Sequence, residues 1–305
     1  MKNKTTQYYG AALLAMFFWS FSFVWFKVAY KAYDPMTVVL FRLSLSTAIM
    51  FVFAKLIGKL QPLKKSDFGL MVLLSFFEPF LYFMGESYGL KYVSPTVASV
   101  IVATIPLFTP MAAWYFHKEK ISWANFAGLT ISFLGVSLVV FDRTLGFTAS
   151  PLGVSLEFVA VLSTIGYAIL LKRLTNHYNG YTIISYQNLF GSFMFLPFWS
   201  VFEAEKTFQT PFHPEAFGAI VKLAIFASIL GFIFFTYSIR HLGINKSNMF
   251  INVMPVFVVI FSYFILGDEI NAQKIIGVTV VIAGLFLAQL KRRKRKNGDY
   301  PVFQT

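Results

Sequence analysis

The 305-residue sequence contains no cysteine, and only 13% of its residues are charged. The first absence excludes disulfides, thiolate metal sites, cysteine nucleophiles and palmitoylation. The second excludes an ordinary soluble domain, in which about 25% of residues are charged. Acidic residues are scarce, 13 against 26 Lys and Arg. The four histidines, His117, His177, His213 and His241, are scattered and fall mostly in expected loops, so no metal site is supported. There is no Walker loop for ATP, no His-Glu-x-x-His and no Gly-x-Ser-x-Gly. No nucleophile–base pair recurs at helical spacing within the apolar stretches. The chain is therefore expected not to be an enzyme, and to use no cofactor and no metal.

What remains is apolar: 57% hydrophobic and 19% aromatic residues, with a mean hydropathy of +0.66. This character runs from end to end, which points to a membrane rather than to a large soluble core. A hydrocarbon core needs about 20 apolar residues per helix. Ten segments qualify, at 8–30, 36–57, 68–90, 94–116, 121–141, 151–171, 181–202, 216–239, 245–266 and 271–290. The net charge of +13 lies in short blocks between them, ending in the run Lys291-Arg292-Arg293-Lys294-Arg295-Lys296. That pattern anchors topology and attracts anionic lipid; no nucleic-acid partner is expected. With the N-terminus inside, the inner side collects 18 of the 26 basic residues. Both termini are thus expected in the cytoplasm. The lean loops suit a bacterial inner membrane. The segment after Lys2 and Lys4 is too long and too aromatic for a signal peptide, and reads as an uncleaved first helix.

The two halves are alike. An offset of 149 residues aligns Tyr88 with Tyr237, Pro106 with Pro255, Phe108 with Phe257, Ile121 with Ile270, Gly128 with Gly277, Thr130 with Thr279 and Gly135 with Gly284. It also sets Lys91 against Arg240 and Glu119 against Asp268, and superimposes the segment boundaries. An odd number of helices per unit requires the second unit to be inverted. The expected fold is an all-α polytopic membrane protein of ten transmembrane helices in two inverted five-helix repeats, at 1–145 and 146–290, with a basic cytoplasmic tail at 291–305. Such repeats are the architecture of many secondary transporters, with the solute near the midplane between them.

The stretch from Tyr88-Gly-Leu-Lys-Tyr-Val-Ser-Pro-Thr-Val-Ala-Ser-Val-Ile to Pro106, continuing through Lys118-Glu119-Lys120-Ile121-Ser to Gly128, resembles the EamA domain of the drug/metabolite transporter superfamily. Its partner runs from Tyr237 through Pro255 and Gly267-Asp268-Glu269-Ile270-Asn to Gly277. Glu119 matches the glutamate the family carries after its fourth helix; in the second copy Asp268 holds that place, with Glu269 beside it. The resemblance implies alternating access, export or exchange of metabolites such as amino acids, and a cavity lined by the third, fourth, eighth and ninth helices.

Ionisable groups inside a membrane are costly and mark functional sites. Glu78, Tyr82 and Glu86 recur at spacing four on one face of the third segment. Glu78 lies at mid-depth beside Pro79, and is a candidate for a substrate cation or a proton. Asn248 and Asn252 share a face of the ninth segment. With Trp19 and Ser99 these residues form the expected substrate site. Lys27, Arg42, Glu86 and Glu157 fall in the outer half and form the expected ion-paired gate. The stripe Tyr181, Ser185, Asn188, Ser192 faces protein or water, and glycines 128, 135, 277 and 284 read as close packing, either at a homodimer face or between the repeats. The expected partners are a small-molecule solute, membrane lipid and a coupling proton or counter-solute. The expected function is export of an amino acid or related amphipathic solute; an organic-cation exporter is the alternative, and a non-transporting receptor or scaffold is the reading from another class.

Overall fold

A computed structural model describes residues 2–108, 123–140, 149–269 and 271–290, and among these every regular element is helical. The elements are α1 (Lys2–Ala29), α2 (Pro35–Leu56), α3 (Lys65–Ser75), a π-helical segment (Phe76–Leu81), α4 (Tyr82–Tyr92), α5 (Pro95–Val102) and α6 (Trp123–Val140). They continue with α7 (Pro151–Leu174), α8 (Gly180–Phe202), α9 (Ala204–Gln209), α10 (Pro214–Lys222) and a second π-helical segment (Leu223–Gly231). The last are α11 (Phe232–Leu242), α12 (Ile244–Asn248), a 3-10 turn (Met249–Val253), α13 (Met254–Leu266) and α14 (Ala272–Leu290). Among the expected motif residues, Glu119, Ile121 and Ile270, like the basic tail, lie outside the described residues.

Helix starts follow from local chemistry. Asp34-Pro35, Ser94-Pro95, Ser150-Pro151 and His213-Pro214 each place proline in the first helical turn, where its missing N–H is not needed. Ser94 and Asn179 accept the Val97 and Thr182 amides at 3.3 and 2.9 Å and so cap α5 and α8.

Six helical stretches are long and apolar enough to cross a membrane: Thr6–Ala29, Pro35–Leu56, Lys65–Tyr92, Pro151–Leu174, Pro214–Leu242 and Lys246–Leu266. Three shorter apolar helices cover Pro95–Phe108, Thr130–Val139 and Ala272–Gly284. With 23 residues α8 matches the spans in length, while Gln187, Asn188 and three serines lower its hydropathy. The exterior is apolar and the ionisable residues of the spans are turned inward: Phe264 and Leu56 are about four-fifths exposed, whereas Arg42, Glu78, Glu86 and Glu157 are buried. In water that distribution would be unstable; in lipid it is the expected one.

The third and ninth expected segments are not continuous α-helices. In the third, Pro79 removes a donor and Glu78 takes an extended backbone (φ −149°, ψ 119°). The matching place in the second half is the segment Leu223–Gly231, also π-helical. In the ninth, α12 passes through the 3-10 turn before α13 begins at Met254-Pro255. A 3-10 turn has three residues per turn rather than 3.6. Asn248 and Asn252 therefore do not stay on one helical face.

Packing between the halves comes in exchanged pairs. α1 packs on the second π segment and α11, and α7 packs on the first π segment and α4. α2 meets the second π segment, and α8 meets the first; α1 meets α13, and α7 meets α5. α2 pairs with α8, and α6 with α14. The α6–α14 contact is set by small residues. A Cβ on Gly135 would stand 2.6 Å from the Val281 amide nitrogen, and one on Gly277 would stand 2.4 Å from a Val139 methyl. Ser132 donates to the Val281 carbonyl at 3.0 Å across the same seam. The glycine stripe is thus used inside the molecule, between its halves.

Gly135→Leu is expected to cost about 1–3 kcal/mol by overpacking and to lower the thermal midpoint of the purified protein in detergent. Gly218→Leu, with nothing within 4 Å of its Cβ position, is expected to leave the midpoint unchanged. Equal midpoints would contradict the close contact.

Candidate functional site

A narrow central cavity of about 40 Å³ lies where the two halves meet. The first half supplies Trp19 and Ser22 from α1, Arg42 from α2, Glu78 from the first π segment, Tyr82, Phe83 and Glu86 from α4, and Val102 and Ile105. The second half supplies Thr164, Tyr167 and Ala168 from α7, Phe232 and Phe235 from α11, Asn248 from α12, and Ile251 and Met254.

The first π segment and the 3-10 turn contribute Glu78 and Ile251 to the cavity lining, and the second π segment lies behind Trp19. Trp19 donates from its indole nitrogen to the Ala227 carbonyl of the second π segment at 3.2 Å. Its ring lies over Gly231, where a Cβ would stand 2.6 Å from the indole nitrogen. That placement packs Trp19 edge-on to Phe232 at 5.0 Å and tilted against Phe235 at 4.8 Å, making one aromatic wall.

The lining also carries ionisable groups. Glu78, Tyr82 and Glu86 all line the cavity, and the Tyr82 hydroxyl donates to Glu86 Oε1 at 2.9 Å. Arg42 is only 1% exposed. Its Nε donates to Ser228 Oγ at 2.9 Å. Its guanidinium carbon lies 4.3 Å from the centre of the Phe83 ring and 5.2 Å from that of Phe26.

Of the six residues expected to bind solute, the structure brings Trp19, Glu78, Tyr82 and Asn248 to the cavity. Asn252 is buried with both amide atoms lacking a hydrogen bond and stands outside the lining. Ser99, also outside it, is fully buried and donates to the Thr96 carbonyl at 2.9 Å. Of the four expected gate residues, Arg42 and Glu86 line the cavity. Glu157 is buried against Gly89, with neither carboxylate oxygen hydrogen-bonded, and Lys27 is half-buried on α1. Among the described residues, the N···O contacts within 4.0 Å join other partners, so the four make no ion pair in this conformation.

Apart from a His177–Asp67 contact at 3.4 Å, the ion pairs among the described residues sit at one end of the bundle instead. There Asp34, between α1 and α2, bridges Lys91 at 3.2 Å and Lys206. Partial burial alone would raise the Asp34 pKa, but the two ammonium groups outweigh it and hold the carboxyl below the usual carboxylate range. Beside it Glu203, expected in a loop, is buried and accepts the Met36 and Thr37 amides at 3.2 and 2.8 Å. It also accepts the Thr37 and Tyr88 hydroxyls at 2.9 and 3.0 Å. One carboxylate thus caps the N-terminus of α2 and ties it to α4 and the end of α8. At the other end the ties are mostly neutral. Asn179 Nδ2 donates to the Lys59 carbonyl at 2.7 Å, and its backbone amide donates to Gln61 Oε1 at 2.7 Å. The Tyr178 hydroxyl donates to Asp67 at 2.8 Å.

Sequence reasoning missed Ser228 and Glu203. For Ser228 a signal was present, a single hydroxyl in the apolar run Leu223–Gly231. For Glu203 there was none, because a carboxylate at the end of an apolar segment looks the same whether it faces water or caps a neighbouring helix.

Residues 7–141 and 151–290 each match the EamA-like transporter family. An uncharacterized transporter of Archaeoglobus fulgidus is 25% identical, over 92% of this chain and 96% of its own length. The uncharacterized transporter YdfC of Bacillus subtilis is 26% identical, over 96% and 94%. A probable terminal-alkyne amino-acid exporter of Streptantibioticus cattleyicolor is 22% identical, over 94% of each chain. A crystal structure aligns with a TM-score of 0.67 at 15% identity, covering 93% of this chain and 98% of that one, and so shares the fold.

Glu203→Ala leaves two buried amides and two hydroxyls without their acceptor. The expected cost is about 1–3 kcal/mol, read as a lower thermal midpoint; an unchanged midpoint would show the cap idle. The Asp34 contribution has the opposite pH sense to a histidine's. It is present above the unfolded aspartate pKa of about 3.9 and is lost as pH falls through the lower folded value. The midpoint gap between wild type and Asp34→Asn should therefore close only in acid; a gap independent of pH would contradict this.

Proposed function

Because the chain belongs to the EamA-like transporter family, we propose that it is a secondary transporter that moves a small amphipathic metabolite, an amino acid or a close relative, out of the cell by alternating access. The observation that carries this reading is the cavity itself: it is walled by both halves and lined by Arg42, Glu78 and Glu86 together with Trp19, Phe232 and Phe235. Such a mixture suits a solute with charged groups at one end and an apolar body.

The membrane placement rests on the apolar spans, with both termini in the cytoplasm of a bacterial inner membrane as the basic residues suggest. Two inverted five-helix repeats are supported by the exchanged packing pairs. Helix directions add to this, since α1 leaves the end where Tyr8 stacks on His241 and α7 arrives at the end where Asn179 meets Lys59. Asp34 and Lys206 at one end, and Asn179 and Gln61 at the other, are the matching ties whose alternate release would open each side. Export as the direction leans on the name of one relative. Glu78 and Glu157, two buried carboxyls on opposite halves, are the candidates for a coupling proton; a counter-solute is the other means. The glycine faces being occupied within the chain, a homodimer would use another surface. An organic-cation exporter is the second reading, favoured by two carboxylates in the cavity.

Counterflow of radiolabelled L-leucine into proteoliposomes tests the proposal, followed by a panel of other amino acids and organic cations. Glu78→Gln is expected to abolish transport while the protein stays folded by size exclusion. Full activity in that variant would remove Glu78 from the mechanism.

A further inference from the structure

We propose that Arg42 is the anion anchor of the solute site, so that the transported molecule must carry a carboxylate or an equivalent anionic group. This rests on the transporter reading and sharpens it. Arg42 is buried to 1% exposure within an apolar bundle. A guanidinium in such a place is costly unless an anion meets it. Among the described residues no carboxylate oxygen lies within 4.0 Å of it, Glu86 being engaged by Tyr82 instead.

The group is nevertheless held in place. Ser228 fixes Nε at 2.9 Å. Phe83 and Phe26 contact the guanidinium at 4.3 and 5.2 Å, a cation–π arrangement that orients the fork without neutralising it. Nη1 is buried and has no hydrogen-bond partner, and Arg42 lines the cavity. A positioned guanidinium with an unused donor beside a small-molecule cavity is the arrangement that recognises carboxylate.

The same cavity holds Glu78 and Glu86, which take a cationic group on the same solute, and the Trp19 wall, which takes its apolar body. A simple organic cation would leave the Arg42 guanidinium without a directly contacting anion and would bring a second positive charge towards it. Arg42 therefore selects a zwitterion or an anion over an amine. Ser228, whose hydroxyl accepts from Arg42 Nε, is a positioning residue.

The test is equilibrium binding to the full-length protein in detergent of four molecules that share one body: L-leucine, L-leucinamide, 4-methylpentanoate and isoamylamine. Wild type is expected to bind L-leucine at least about tenfold more tightly than L-leucinamide or isoamylamine, the effect of one charge-assisted contact, with 4-methylpentanoate retaining measurable affinity. In Arg42→Gln the preference for L-leucine over L-leucinamide is expected to vanish. In Arg42→Lys part of it should return. Ser228→Ala should reduce it without removing it, and serves as the readout if the Arg42 variants do not fold. Equal binding of L-leucine and L-leucinamide by wild type would overturn the anchor, as would a preference that survives Arg42→Gln or is untouched by Ser228→Ala. Tightest binding of isoamylamine would overturn it in favour of the cation reading while leaving transport intact. Failure of all four to bind folded wild type would overturn both the anchor and the amphipathic-solute reading.

Discussion

Lipid offers backbone N–H and C=O groups nothing to bond with, so a chain in a membrane must satisfy them within helices or against its own interior. This constraint organises the molecule. Its long spans are helical, and of the interruptions Phe76–Leu81 and Met249–Val253 line the cavity while Leu223–Gly231 lies behind Trp19. Where this last segment loosens the helix, the indole of Trp19 reaches the Ala227 carbonyl. The residue that repairs the backbone is therefore also the aromatic wall of the site. Gly231 permits it, because any side chain there would meet the ring.

Charge obeys the same economy. Ionisable residues are few, and those away from the membrane faces are turned inward. At the ends, water and opposing charges answer them, as with Asp34 between Lys91 and Lys206. Glu203 shows how far an inward-turned carboxylate can be satisfied, with two amides and two hydroxyls. In the middle, Arg42 has one hydroxyl and two aromatic faces. The contrast between a saturated carboxylate at the end and an incompletely answered guanidinium at the cavity separates what holds the bundle together from what awaits a solute.

Much of this was legible in the sequence. The offset of 149 residues located the correspondence between halves, and it reappears as α6 against α14 and as π segments at matching places. Glu78, Tyr82 and Glu86, spaced by four, all line the cavity, although Glu78 sits on an extended backbone where the helix is interrupted. The same spacing misled for Asn248 and Asn252, because a 3-10 turn between them rotates one away from the cavity. Depth along a helix brought Lys27, Arg42, Glu86 and Glu157 together as a gate, yet depth says nothing of azimuth. Glu157 faces Gly89, and Arg42 faces the cavity. Long-range partners such as Ser228 for Arg42 and Glu203 for α2 depend on how distant segments pack, which no local pattern encodes.

The most direct measurement of whether the cavity is a passage uses the natural lack of cysteine. Thr164, half-buried and on the cavity wall, is replaced by cysteine in an otherwise unchanged chain. Oriented vesicles are then exposed to a membrane-impermeant maleimide on one side at a time. A cavity that opens alternately predicts labelling from each side, and a shift towards the side of the Asp34 strap when Asp34→Asn is added. Labelling from one side alone under every condition, or from neither in folded protein, would contradict it.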